Sequence, residues 1–495
     1  MYLLGLDIGS SSIKAAIVDA TTKKTIAIST FPSTEMEISA PHPDWAEQDP
    51  DIWWSYTKQA ITKLLHTVQV DKSEIKAIGI SYQMHGLVAV DKDGKAVRPS
   101  IIWCDSRAVS IGDQAASDLG IDYCSQQFLN SPGNFTASKL KWVKENEPHV
   151  YERINKIMLP GDYIAYKMTG IVTSTISGLS EGILWNFKTQ STASALMDYF
   201  GIDESMLPDL KATFSNQGEL TESAAGYLNL LKGIPVSYRA GDQPNNALSL
   251  GVFNPGQVAG TGGTSGVVYA VSDQLVHDPE MRVNSFAHVN YTKPDPRIGV
   301  LLCINGCGIQ YGWLRRLLGD VDMDYAELEH IAAKVEIGAQ DLSIISFGNG
   351  AERMLQNQSL GAQMMGLNFN VHDKAHLYRA GLEGIAFAFY YGMQCMKQMG
   401  VNISEMRVGN DNLFQSDIFS NTLASLCGAE INLINTTGAV GAALGAGYGQ
   451  GIYGSLEETF DQPDIVKTII PTSQNETYQE AYHTWSKRLE KLINS

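Results

Sequence analysis

The order of apolar and polar positions divides the chain into short strands, glycine-rich turns and helices. Near the start, Leu3-Leu4-Gly5-Leu6-Asp7-Ile8 passes through Gly9-Ser10-Ser11-Ser12 into Ile13-Lys14-Ala15-Ala16-Ile17-Val18. Halfway along, Gln257-Val258-Ala259-Gly260-Thr261-Gly262 passes through Gly263-Thr264-Ser265-Gly266 into Val267-Val268-Tyr269-Ala270. Each reads as a strand, a tight turn and a second strand. One such turn is an ordinary hairpin, but its recurrence half a chain away marks a two-lobed architecture. A turn of this kind aims backbone N–H groups and hydroxyls into one concavity, which suits a phosphate. Two of them predict half-sites facing each other across a cleft.

Between and beyond the hairpins the periodicity predicts a mixed α/β fold. A helix is expected over 52–68, with Asp49 as its cap, Pro50 in the first turn, and Trp53, Tyr56, Ala60 and Leu64 on one face. A buried strand over 76–81 delivers Gln83-Met84-His85-Gly86, and 101–107 is a second strand end carrying Trp103, Asp105 and Arg107. Helices are expected over 138–146 and 162–168. A strand over 235–240 ends at Gly241-Asp242-Gln243-Pro244, with Asp242 at the N-cap position of a helix running through 250. A long buried helix follows over 374–399, a small-residue helix over 439–449, and an amphipathic C-terminal helix bearing Tyr478, Tyr482, Trp485, Leu489 and Leu492. The lobes divide near 245–254, giving domains 1–246 and 247–495.

Composition narrows the chemistry. At 495 residues the chain exceeds a single hydrophobic core, and 44% hydrophobic with 18% charged residues describes a globular protein. A formal charge of −17 with no basic run argues against a nucleic-acid surface. Anionic ligands would be held locally, by backbone N–H groups, one or two cations and a metal. No basic region precedes the first apolar run, and no stretch approaches the roughly 20 uncharged apolar residues of a membrane helix. Cys104, Cys124, Cys303, Cys307, Cys395 and Cys427 contain no CxxC pair, so neither a disulfide framework nor a zinc site is indicated. A reducing, cytoplasmic location without membrane partners is the expectation. His372 and His376 have i, i+4 spacing but lack the glutamate of a zinc-protease helix.

No Walker A loop and no dinucleotide fingerprint is present, so nucleotide binding rests on the paired turns. Asp7, just before the first turn, suits a magnesium ion held mostly through water.

Asp7-Ile8-Gly9-Ser10-Ser11-Ser12-Ile13-Lys14, Trp45-Ala46-Glu47-Gln48-Asp49-Pro50 and Gln83-Met84-His85-Gly86 resemble the FGGY carbohydrate kinases. So do Lys139-Leu140-Lys141-Trp142, Ala240-Gly241-Asp242, Gly263-Thr264-Ser265-Gly266 and residues 366–383, and the likeness spans nearly the whole chain. The resemblance implies two ribonuclease-H-like lobes of the actin and sugar-kinase superfamily, with ATP and Mg2+ in the interlobe cleft. It assigns Asp242 as the base that takes the proton of a sugar hydroxyl attacking the γ-phosphorus. Asp7 and Asp242 would hold the metal. A helix N-terminus would keep the Asp242 pKa low, leaving a weak base made effective by position. Met84, His85, Trp103, Asp105, Arg107, Gln243 and Asn246 would bind the sugar together with Asp242. Gly9, Ser10, Ser11, Ser12, Lys14, Gly263, Thr264, Ser265 and Gly308 would hold the phosphates, and Gly409, Asn410 and Asn412 the nucleoside. The chain departs from the family's Gly-Gly-Gly run at Gly409-Asn410-Asp411-Asn412, where Asn and Asp can still adopt left-handed backbone. Within the family, the Met84-His85 pair is most similar to that of the members acting on xylulose. The expected reaction is therefore ATP-dependent phosphorylation of D-xylulose to D-xylulose 5-phosphate. Ribulose, gluconate or glycerol as substrate, and a sugar sensor that has lost phosphotransfer, stay open as alternatives, as does a homodimer.

Overall fold

The computed structural model describes residues 1–494. Its first sheet is built from β1 (Tyr2–Ile8), β2 (Ile13–Asp19), β3 (Thr25–Phe31), β4 (Ile75–Tyr82) and β5 (Val236–Gly241), in the order β5-β4-β1-β2-β3. The two hairpin strands β1 and β2 are antiparallel, with Asp7 opposite Lys14. Strands β4 and β5 join in parallel, with Asp7 opposite Ser81 and Gly241 opposite Tyr82. This register brings the β1–β2 turn and the C-terminal ends of β4 and β5 to one edge, where parallel strands mount ligand-binding loops.

The second sheet repeats the plan with additions. It contains β6 (Gln257–Gly262), β7 (Gly266–Ser272), β8 (Asn284–Ala287), β9 (Ile298–Ile304), β10 (Glu405–Gly409), β11 (Ile431–Ile434) and β12 (Ile465–Ile469), in the order β8-β9-β7-β6-β10-β11-β12. Again an antiparallel hairpin, β6–β7, lies beside parallel strands, β10 and β11.

Local sequence explains the helices that flank these sheets. Helix α1 (Pro50–Thr67) starts where Asp49 accepts the Asp51 N–H at 2.9 Å, and it buries Trp53, Ala60, Ile61 and Leu64. The helices α2 (Val109–Leu119) and α3 (Thr136–Asn146) belong to an insertion between β4 and β5, and α4 (Asp242–Ser249) leaves β5 directly. In the second half lie α5 (Gly308–Leu317), α6 (Lys374–Gln398), α7 (Gly438–Gly449) and α8 (Asn475–Ile493). Asp373 and His376 form the capping box of α6, which accounts for the His-Asp-His spacing without a metal. Helix α8 buries Trp485, whose indole N–H donates to the Ile344 carbonyl at 2.9 Å.

Although it comes late in the chain, α7 packs on the first sheet, against β1, β4 and β5. Its small residues allow an approach so close that a Cβ on Gly79 would lie 1.9 Å from the Ala442 carbonyl oxygen. A second tie runs through β8, whose free edge is satisfied by side chains of the first lobe. Asn130 exchanges two hydrogen bonds with Ser285, Ser177 Oγ donates to the Ala287 carbonyl, and Ser180 Oγ accepts from the Ala287 N–H. Among the described residues no helix is long and apolar enough to cross a membrane.

Candidate active site

The first hairpin turn is closed by Gly9 N–H on the Ser12 carbonyl at 3.1 Å. Its shape is held from outside by Gln48, whose amide donates to the Ser10 carbonyl at 2.7 Å while its oxygen accepts from Trp53 and Gln83. The Gln48 of the Trp45–Pro50 segment therefore braces the turn from behind. In the second turn, Gly308 N–H donates to the Gly263 carbonyl at 3.0 Å and Ile309 N–H to that of Thr264. That fastens the start of α5 to the turn and brings Gly263, Thr264 and Gly308 together. Ser265 and Thr264 stay exposed.

Asp7 accepts from Ser81 Oγ at 3.0 Å, and enclosure by protein raises its carboxyl pKa against the pull of Lys14. Asp242 is the first residue of α4, and Gly241 before it is the N-cap, so the side chain caps nothing. The expectation of an N-cap with a low pKa is overturned. Burial, with the negative charge of Asp7 as the next cause, pushes Asp242 up to about 7, outweighing its hydrogen bonds with Gln243. Asn246, one turn further along α4, meets Asp7 at the start of α7. A Cβ on Gly438 would lie 3.0 Å from Asp7 Oδ2 and 3.1 Å from Asn246 Oδ1, so any larger residue there would have to push these side chains aside by a few tenths of an ångström. Asp7, Asp242, Gln243 and Asn246 are thus one cluster. Two mutually repelling carboxylates with few cationic partners form a donor set suited to a hydrated Mg2+. Among the described residues no cluster of three or more metal-ligating side chains exists, so such an ion would lean on water and phosphate oxygens.

Met84 is buried against Gly241, directly beside Asp242. His85 takes up a left-handed backbone, φ 62°, uncommon for a residue with a side chain and costing about 1 kcal/mol or more. Its Nδ1 lies 2.9 Å from the Glu181 carbonyl oxygen, which fixes Nδ1 as the donor. Burial pushes the imidazole down to about 3, so the ring is neutral and Nε2 is left as an acceptor. Phe135 and, from the second lobe, Phe286 pack against the ring at 4.8 and 5.3 Å.

Two residues that sequence reasoning did not assign hold this loop. Lys139 is 0% exposed, and its ammonium donates to the carbonyls of His85 and Ile102, both at 2.9 Å. Its visible signal was the Lys139–Trp142 motif, but nothing local to that motif predicts a buried cation. Glu181 is 1% exposed, and its carboxyl sits so near Gly241 that a Cβ there would lie 2.5 Å from Oε2. Burial first, then the nearby charge of Asp242, raises its pKa well above the ordinary value.

Asp105 and Arg107 do not reach the sugar pocket. Asp105 is 0% exposed and receives the Ala46 and Arg107 N–H groups as well as the Arg107 guanidinium, at 2.6 Å from Nη2. Arg107 also pairs with Glu47 at 2.7 Å and lies 3.8 Å from the Trp45 ring centre. Both side chains are consumed in bracing the Trp45–Pro50 segment. Trp103, 53% exposed, donates its indole N–H to Ser10 Oγ at 3.2 Å and hangs over the first turn. Gly409 ends β10, and Asn410 bonds Ile434 and Asn435 of the neighbouring strand end. Asn412 adopts φ 52°, so the left-handed turn survives the loss of glycine there. Asn410 also lines a groove of about 820 Å3 between the lobes, along the flank of α7, which contains neither hairpin turn.

Two family models match the chain. Residues 2–249 match the N-terminal domain of the FGGY family of carbohydrate kinases, and residues 258–449 match its C-terminal domain. The xylulose kinase of Staphylococcus xylosus is 28% identical over 434 residues, covering 86% of this chain and 87% of that protein. The xylulose kinase of Escherichia coli K12 is 27% identical over 501 residues, covering 100% and 99%. Among solved structures, a xyloylose kinase from Brucella ovis superposes with a TM-score of 0.90 at 25% identity, covering 99% of both chains. The xylulose kinase of Rhodospirillum rubrum gives 0.90 at 24% identity over 100% of both, a likeness of fold.

Proposed function

The chain belongs to the FGGY family of carbohydrate kinases, and from that premise we propose that it transfers the γ-phosphoryl group of ATP to the terminal hydroxyl of D-xylulose. The observation that carries the reading is the Asp7–Asp242 pair. A carboxyl raised to about 7 at the mouth of two phosphate-shaped turns is a base matched to neutral pH. The full-length likeness to xylulose kinases of several bacteria supports this choice of sugar.

In the proposed reaction Asp242 accepts the proton of the C5 hydroxyl as its oxygen forms a bond to the γ-phosphorus and the bond to the ADP oxygen breaks. Met84 packs on the carbon skeleton, His85 Nε2 accepts from a sugar hydroxyl, and Gln243 and Asn246 bond the chain near the base. Residues 1–246 thereby serve the sugar and residues 247–495 the nucleotide, with α7 returning to the first sheet. Gly9, Ser10, Ser11, Ser12 and Lys14 face the phosphoryl group in transfer. Gly263, Thr264, Ser265 and Gly308 hold the nucleotide phosphates, and Gly409, Asn410 and Asn412 border the nucleoside. Asp7 and Asp242 would hold Mg2+, which neutralises charge on the phosphate oxygens. Closure of the lobes excludes water once sugar is bound.

The test is a coupled ADP-release assay on the purified chain with Mg2+, ATP and a panel of ketoses, sugar acids and polyols. D-xylulose is expected to give the highest kcat/KM. Sugar binding without sugar-dependent ADP from any member of the panel would overturn the kinase reading.

A further inference from the structure

Across the cleft from His85, the second lobe presents a cation without a hydrogen-bond or ion-pair partner among the described residues. Glu352 is buried, and its carboxylate turns away from the cleft to accept the Asn305 N–H at 3.0 and 3.2 Å. The next three residues, Arg353–Leu355, form a 3-10 turn whose Met354 and Leu355 are buried beneath β9. Glu352 N–H donates to the Gln358 carbonyl, and Asn357 N–H returns to the Glu352 carbonyl, so the turn is closed on itself. Arg353 stays partly exposed between buried Glu352 and Met354, and its guanidinium has no hydrogen bond or ion pair among the described residues. Every other arginine seated this deep is paired, as Arg107, Arg239 and Arg379 are.

Its neighbours locate it. The titratable groups near it are neutral His85 across the cleft, the Cys303 thiol on β9 and the Asp113 carboxylate on α2 of the first lobe. Phe286 of β8, which packs 5.3 Å from the His85 ring, belongs to a strand paired with β9, and the Arg353 turn packs on β9, so β9 links that turn to the His85 loop. Arg353 and His85 therefore lie together at the cleft, and Met84, next to His85, packs against Gly241 beside Asp242.

We infer that Arg353 binds the carbonyl-bearing end of an open-chain ketose, opposite His85 and at the other end of the substrate from Asp242. This rests on the ketopentose reading above. A 2-ketopentose closes its five-membered ring through the C5 hydroxyl. When that hydroxyl is the attacking group it is free, so the C2 carbonyl is free too. A guanidinium offers only donors, in a planar fork, and a carbonyl oxygen offers two acceptor lone pairs in a plane. The corresponding polyol places a hydroxyl there, which accepts less strongly and carries a proton that the fork cannot receive. Arg353 thus favours the ketose over the polyol, while neutral His85 accepts from a hydroxyl of either.

The experiment compares D-xylulose with xylitol as acceptors for the wild type, Arg353→Lys, Arg353→Met and Asp113→Asn, with KM for ATP and thermal melting measured alongside. Arg353→Met is expected to raise KM for D-xylulose about 10- to 100-fold. It should leave kcat within about threefold, KM for ATP unchanged, and the ketose-to-polyol preference close to one. Arg353→Lys should restore part of that preference. The inference is overturned if Arg353→Met lowers kcat/KM equally for both sugars, or if Asp113→Asn reproduces its effect, which would make the arginine a closure latch. A wild type that phosphorylates no ketose refutes the ketopentose reading itself. A wild type that does so, with variants that keep its preference, refutes only the role of Arg353.

Discussion

Replacing Asp242 by asparagine is expected to stabilise the fold and abolish its chemistry, in a pH-dependent way. The carboxyl sits at about 7 in the folded protein against an ordinary 3.8, chiefly through enclosure and then through Asp7. It therefore binds its proton more tightly when folded. Its contribution to stability is fully present below about 3.8 and is lost as pH rises to about 7. Three powers of ten in proton affinity correspond to roughly 4 kcal/mol. Because the cleft lets water reach the carboxyl, that is a ceiling. Asparagine keeps the shape and removes the charge, so Asp242→Asn should melt at a higher temperature than the wild type at pH 8. At pH 5 the gap should shrink to less than half, because the folded carboxyl is then protonated while that of the unfolded chain is already ionised. Turnover should fall by about 100-fold or more at pH 8, and by much less at pH 5, where most of the wild-type base is already protonated. In the wild type, kcat/KM should rise with pH through about 7. Thermal-shift melts from pH 5 to 8, paired with ADP release, measure all of this. A variant no more stable at pH 8, or stabilised equally at pH 5, would refute the claim that Asp242 is a costly, strained base.

Lys139→Met removes the buried ammonium from the carbonyls of His85 and Ile102. With each buried carbonyl left unpaired costing about 1–3 kcal/mol, the melting temperature should drop and KM for sugar should rise about tenfold while KM for ATP holds. An unchanged sugar KM in a folded variant would show that the His85 loop stands without it. Gly438→Ala inserts a Cβ 3.0 Å from Asp7 Oδ2 and 3.1 Å from Asn246 Oδ1. Displacing that carboxylate by a few tenths of an ångström should cut turnover about tenfold with little change in melting. Full activity would mean that Asp7 has freedom that the packing does not show.

What could be read from the sequence was local in origin. The two hairpins, the Asp49 cap of α1, the position of Asp242 at a strand end and the left-handed Asn412 each follow from a few consecutive residues and the backbone they prefer. The polar trio Trp103, Asp105 and Arg107 looked like pocket lining for the same reason, since it follows a strand as binding residues do. Glu47, Trp45 and Trp142 arrive from elsewhere in the chain to hold Arg107, and the Ala46 N–H joins Arg107 in holding Asp105. Long-range packing also decided that α7 belongs on the first sheet, where Gly79 leaves room for it. The charge states followed the same rule. Asp242 is raised by enclosure and by Asp7, which the sheet register and α7 bring beside it, and Glu181 is raised by its own burial and by Asp242. Burial and the distance between charges depend on how remote segments meet, so the sequence determined which groups the site contains, and only the tertiary structure decided which of them carry a proton or stand unpaired.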